Sequence, residues 1–129
     1  EGAMAFQKGL GAVHSMSHPL GALPEPRLHH GTLNAVIMPT VLRFNHDFVG
    51  DKYDTLRKIM GLSSNADLPQ AIADMNERLK LPKNLREMGV TEAMIPTASE
   101  QAEHDHCTPT NPRPVDRAGF EALFAEAMR

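Results

Sequence analysis

Apolar residues recur along this chain at intervals of three and four and nowhere alternate over a useful length, which predicts helices and no strands. Leu33, Val36, Ile37, Val41 and Phe44 fall at helical spacing, and Pro39 inside that run predicts a kink in place of an end. After Gly50 the residues Tyr53, Leu56, Ile59 and Met60 share one face, a pattern that predicts core packing, with Gly61 the natural residue just past a helix end. Residues 63–67 are polar and finish in Asp67, a good N-cap for a helix carrying Ile72, Met75 and Leu79, which Leu81-Pro82 stops. Residues 85–88 predict a short helix ended by Gly89, and Thr91 can cap another through Met94, Ile95 and Ala98 to about His104. The last helix follows Asp116, with Phe120, Leu123, Phe124 and Ala127 as its buried stripe. At the other end, Gly2, Ala3, Ala5, Gly9, Gly11 and Ala12 predict a small-residue helix over 2–18 that lets neighbouring backbones approach closely. The fold class expected is all-α: one domain over 1–129, a bundle of about six or seven helices, with no internal repeat.

Composition narrows the class without changing it. At 129 residues, 41% apolar and 22% charged, the chain is an ordinary soluble globular domain. A net charge of −3 with mixed signs offers neither the basic stripe that nucleic acid requires nor a polybasic flank for an anionic membrane, so neither is an expected partner. The one cysteine, Cys107, cannot close an intramolecular disulfide, and no signal peptide opens the chain, which fits a reducing cytoplasm. The chain opens on Glu1 instead of Met, so we expect a segment of a longer protein. The eight methionines and absent tryptophan fit flexible filling between helices.

The candidate chemistry lies in Gly11-Ala12-Val13-His14-Ser15-Met16-Ser17-His18-Pro19-Leu20-Gly21 and in His29-His30-Gly31 one loop later. His14 and His18 are four apart and so project from one helix face. Pro19 disfavours helical geometry before it, which puts His18 in a frayed last turn and His14 firmly inside the helix. The loop to Leu28 contains one Gly and two Pro, enough to turn the chain back, and a hairpin of two helices would bring His30 towards His14. Converging imidazoles suit iron, zinc, nickel or copper. The residues alone also allow the plainer reading, in which each histidine caps a helix end or bonds a carbonyl. Ser15 stands where the glutamate of a zinc-protease HExxH helix would be, so that pattern is absent. Gly9-Leu10-Gly11 lacks the preceding strand and third glycine of a dinucleotide fingerprint. His104-Asp105-His106-Cys107 contains ligand types, but side chains two apart on a helix diverge, so we expect a solvated helix end and a Cys107 that packs as a small hydrophobe. Thr110-Asn111-Pro112-Arg113-Pro114 predicts a turn held by local Asn and Thr bonds.

Three separated stretches, namely residues 9–22, His30-Gly31-Thr32-Leu33-Asn34-Ala35 with Met38-Pro39, and Thr110-Asn111-Pro112-Arg113, resemble the C-terminal helical half of the iron-dependent (group III) alcohol dehydrogenases. The resemblance implies a dehydroquinate synthase-like helical domain, with His14 and His30 ligating a catalytic Fe2+ or Zn2+. It implies that His18 lies beside the metal, near substrate and nicotinamide, as the catalytic and cofactor-contacting residue. The remaining ligands, an Asp and a His, would come from before residue 1, as would the dinucleotide-binding domain that holds most of the NAD(P). The implied activity is hydride transfer between a small alcohol or aldehyde and nicotinamide, carried by the complete protein and not by this piece; a homo-oligomer is compatible with it. Two departures stand out: a longer loop between His18 and His30, and His29 where proline is usual. The competing expectations are a maleylacetate reductase-like member of the family, a non-catalytic helical domain with weak metal binding, and a helical metal-dependent hydrolase, for which Glu25 is the one nearby base and a poor one.

Overall fold

A computed structural model describes Gln7 and residues 9–129. Among the described residues the bundle contains six full α-helices: α1 (Ala12–Gly21), α2 (His30–Asn45), α3 (Lys52–Ile59), α4 (Leu68–Arg78), α5 (Ile95–Glu103) and α6 (Arg117–Ala127). Single 3-10 turns lie at His46–Phe48, Glu92–Met94 and Thr108–Thr110, and there is no strand among the described residues. None of the described helices is long and apolar enough to cross a membrane.

The core follows the spacing of the apolar residues. Ala12, Met16 and Leu20 recur every fourth residue and form the inward stripe of α1, while Leu33, Val36, Ile37 and Val41 do the same on α2. These meet Phe120, Leu123 and Phe124 of α6, Ala98 and Ala102 of α5, and Leu85 in one cluster. Helix α2 is central, packed against α1, α4 and α6, and α1 lies between α2 and α5. A smaller cluster of Val49, Tyr53 and Leu68 sits beside it. Caps fall where expected at two helices: Asp67 accepts from the Gln70 N–H at 3.0 Å and Asp116 from the Gly119 N–H at 2.8 Å.

Several expectations need correction. The predicted helix over 2–18 is not continuous: residues 9–11 are non-helical, with Gly9 at φ 92° and Gly11 at φ 72°, a region only glycine enters freely. A Cβ at Gly9 would clash with the Thr110 side chain, so the close approach expected of these glycines serves the Thr110–Arg113 turn. The rest of that prediction, residues 2–6 and 8, lies outside the described residues. At its other end α1 runs on past Pro19 to Gly21, and the Ala22 N–H closes onto the His18 carbonyl at 3.0 Å. Pro39 likewise lies inside α2 without ending it. Residues 85–88 form turns and no helix. Thr91 occupies the cap position before the Glu92 turn without a side-chain bond.

The α3 stripe is the clearest miss. Tyr53 is buried, but Leu56, Met60 and above all Ile59, 76% exposed, face outwards because no element of the described chain covers them. Leu79 is also exposed; Asn76 takes the inward position on α4 and donates to the Ala35 carbonyl at 2.7 Å.

Candidate functional site

Helix geometry separates the core of α1 from its chemistry. Each step of two residues turns about 200° round the axis, so with Ala12, Met16 and Leu20 inside, His14 and His18 stand on the outer face. His30 is the first residue of α2, and the turn back between Ala22 and His29 brings it against that face. Ring centroids are 5.2 Å apart for His14 and His30, 5.7 Å for His14 and His18, and 5.5 Å for His18 and His30, the last pair nearly parallel. His14 and His18 are half-buried and His30 is exposed, so the three imidazoles line an open edge of the bundle. His29 stays outside: it is the N-cap of α2, its ring accepting from the Thr32 N–H at 3.4 Å. Glu25 is exposed on the loop.

Hydrogen bonds define which lone pairs face the open edge. Asn34, one turn after His30, sets its side-chain amide nitrogen 3.1 Å from His30 Nε2 and 3.3 Å from His14 Nε2. An amide NH2 only donates, so both Nε2 atoms are acceptors turned towards one point. His30 Nδ1 lies 3.4 Å from Ser17 Oγ, which itself donates to the His14 carbonyl, and so Nδ1 carries the His30 proton. His14 Nδ1 is buried with no partner. Burial, then the neighbouring His30 and His18, push the His14 pKa below its ordinary value against a smaller pull from Asp105. His14 is therefore held as a neutral imidazole, the form that binds a metal. Two ring nitrogens converging on one bridging donor fit a borderline divalent ion as two of its ligands.

His18 is held differently. Its Nδ1 lies 2.8 Å from Asp105 Oδ2, a contact across 87 positions of sequence. A carboxylate only accepts, so Nδ1 carries the proton and Nε2 is left as an acceptor. Burial raises the Asp105 pKa, but the Cys107 N–H at 2.8 Å and the His18 hydrogen bond outweigh it and hold this carboxyl below its ordinary value. Asp105 gives no local sign of this role, because the spacing around it predicts the solvated end of a helix. Helix α5 in fact stops at Glu103, and the turn beyond it points Asp105 at α1. Asn34 was also missed; its i, i+4 relation to His30 was the available signal.

The Thr110–Arg113 turn is structural over long range, beyond the local bonds expected. Asn111 Oδ1 accepts from the Ala12 N–H at 3.2 Å and from Asn45 Nδ2 at 3.0 Å, while its own Nδ2 donates to Asn45 Oδ1 at 2.8 Å. Arg113 stacks 4.0 Å from the Phe44 ring centroid and donates to the Phe44 carbonyl. This clamp fastens the start of α1 two residues before His14. Ser15, buried beneath the histidines, donates to the Gly11 carbonyl and accepts from Thr108 Oγ1. A cleft of about 510 Å³ between α2 and α4 is lined by Val36, Thr40, Asn76 and Glu126 and includes none of the three histidines.

The sequence of residues 2–128 matches the model of the Fe-containing alcohol dehydrogenase family, C-terminal. The chain is 51% identical over 135 residues to 4-hydroxybutyrate dehydrogenase of Cupriavidus necator, an alignment that covers 99% of this chain and 35% of that protein. It is 39% identical over 128 residues to lactaldehyde reductase of Escherichia coli (strain K12), covering 92% of this chain and 33% of the relative. Among solved structures, 1,3-propanediol oxidoreductase superposes with a TM-score of 0.83 at 32% identity, over 92% of this chain and 33% of that one. The chain thus spans about a third of the length of the curated relatives it matches.

Proposed function

Because this chain belongs to the Fe-containing alcohol dehydrogenase family as its C-terminal part, we propose that it is the metal-holding, substrate-side domain of a nicotinamide-dependent dehydrogenase. The observation that carries this reading is the convergence of His14, His18 and His30 from two helices at an open edge. His14 and His30 hold an iron or zinc ion through Nε2, and further ligands come from the part of the protein that precedes this chain. When bound, the ion supplies Lewis-acid stabilisation of negative charge on the reacting alcohol oxygen. His18 stands beside that pair with Nε2 free to take the hydroxyl proton, and Asp105 steadies the ring through Nδ1 so that the acceptor nitrogen keeps its direction. The nicotinamide, held mainly by the preceding dinucleotide-binding domain, is approached from this edge. The names of the relatives point to a short-chain alcohol and its aldehyde, and 4-hydroxybutyrate is the first substrate to test. Activity belongs to the complete protein, since two imidazoles leave most of a metal's coordination sphere to groups outside this chain.

Substitution in the complete enzyme separates the three histidines. His14→Ala and His30→Ala are expected to lose metal, read by elemental analysis, together with turnover. His18→Ala is expected to retain its metal and to lose about 10²- to 10⁴-fold in turnover, the usual range for removed acid–base help. A His18→Ala protein emptied of metal, beside a His30→Ala protein that stays full, would reverse the assignment of ligand and neighbour.

A further inference from the structure

The turn that carries Asp105 also gathers a second set of ligand atoms on the far side of His18. Expecting a helix through this stretch, one would have its side chains diverge; they converge because the backbone leaves α5 at Glu103 and folds over, the Asp105 N–H closing on the Ala102 carbonyl and the Cys107 N–H on Asp105 Oδ1. One ligand atom from each of His18, Asp105, His106 and Cys107 then lies within 4.8 Å of the others, the one such group of three or more among the described residues. The same side chains also approach through their other polar atoms: His18 Nδ1 is 2.8 Å from Asp105 Oδ2, Cys107 Sγ is 3.5 Å from His106 Nε2, and the opposite nitrogen of that ring, His106 Nδ1, is 3.7 Å from Asp105 Oδ1. The His18 and His106 rings are parallel to within 13°, with centroids 5.5 Å apart.

A tetrahedral zinc ion with bonds of about 2.0–2.3 Å needs ligand atoms roughly 3.3–3.8 Å from one another, a spacing that one atom from each of the four residues, all within 4.8 Å, reaches by a modest inward movement. The adjustment falls on the side chain free to make it. His106 is 75% exposed and can swing inwards, whereas Asp105 at 12% and the buried Cys107 form a fixed wall. Two imidazoles, a carboxylate and a thiol suit zinc, cobalt or cadmium and disfavour magnesium or calcium, which want oxygen alone.

We propose that His18, Asp105, His106 and Cys107 form a second metal site, selective for zinc-like cations, on the opposite side of His18 from His14 and His30. Burial and the Asp105 carboxylate push the Cys107 thiol up to about 11, so the thiol is protonated in the free protein and an entering ion must displace that proton, while the proton on His18 Nδ1 passes to Nε2 and the imidazole stays neutral. The balance is one proton released for one divalent ion bound, with no redox step. Occupation would tie His18 to the ion through the nitrogen that Asp105 now holds, so a zinc-like cation here acts on the same ring that the function proposed above employs. The site itself is built from this chain alone and does not rest on that function.

Titration of the 129-residue chain with cobalt(II), a spectroscopic stand-in for zinc, tests this, because Cys107 is its one thiol. We expect a near-ultraviolet thiolate-to-cobalt charge-transfer band that saturates at one equivalent. The band should vanish in Cys107→Ser and persist in a His14→Ala/His30→Ala double variant. His106→Ala, an exposed change that leaves the fold intact, should weaken cobalt affinity by about 10- to 100-fold or more. Cobalt binding without the band, a band lost in the His14/His30 double variant, or unchanged affinity in His106→Ala would each overturn the second site; loss of the band alone, with metal still held by His14 and His30, would leave the proposed catalytic function standing.

Discussion

Helices α3 and α6 carry amphipathic stripes of similar regularity and meet opposite fates. Phe120, Leu123, Phe124 and Ala127 of α6 are all buried, pressed between α2 and α5, whereas on α3 only Tyr53 is buried and Leu56, Ile59 and Met60 stand in the open. Periodicity establishes that a helix has an apolar side; it carries no information on what lies across from it. The stripe on α6 is cohesion already realised within this chain, and the stripe on α3 is not.

Three measurements press on that contrast. Phe124→Ala should cost about 3–5 kcal/mol in chemical denaturation, the range for removing a fully buried aromatic ring from a core that cannot collapse round the gap. A cost near zero would mean that the main cluster does not hold the bundle. The next effect concerns the point where α3 is anchored. Tyr53 donates its hydroxyl to the Leu42 carbonyl at 2.9 Å, and burial pushes its pKa up to about 12. A folded pKa above the ordinary value of about 10 favours the protonated phenol in the native state, so its contribution is whole below about pH 10 and is lost as pH rises from there towards 12, a loss of order 3 kcal/mol. Because the chain has one tyrosine, phenolate absorbance reads this directly: a midpoint near 12 in the folded chain and about two units lower in denaturant. Equal midpoints would detach Tyr53 from the core. Smallest of all, Ile59→Ala should change stability by no more than about 0.5 kcal/mol. If it matched Phe124→Ala, the contrast between the two helices would be void.

The same distinction explains what could be read from the amino-acid order. Asp67 and Asp116 were legible as caps because a cap needs only the three residues after it. The meeting of His14, His18 and His30 was legible because it takes one helix period and one short loop. Asp105 was not, since its partner His18 is 87 positions away and the backbone turn that aims it replaces the helix that local reasoning assumed. The start of α1 was misplaced for a related cause: Ala12 is helical and Gly11 is not because Asn111, across 99 positions, accepts the Ala12 N–H in place of a local cap. Leu79 and Ile59 were assigned inwards by a period that cannot see whether a neighbour exists.

That last bond sets an order on events as the chain is made. A growing chain emerges from its amino end, so the hairpin of α1 and α2 is complete long before residue 111 exists. Until then the Ala12 N–H at the start of α1 lacks its Asn111 acceptor and Asn45 lacks the amide it pairs with, so the first turn of the helix that bears His14 is free to fray. His14 lies only two residues into that helix, so fraying of the first turn would loosen the hold on its ring. The start of the helix behind the three histidines is therefore fastened by a late-synthesised stretch of the chain, and a nascent chain stopped short of the Thr110–Arg113 turn would have all three histidines and an unfastened first turn beneath His14.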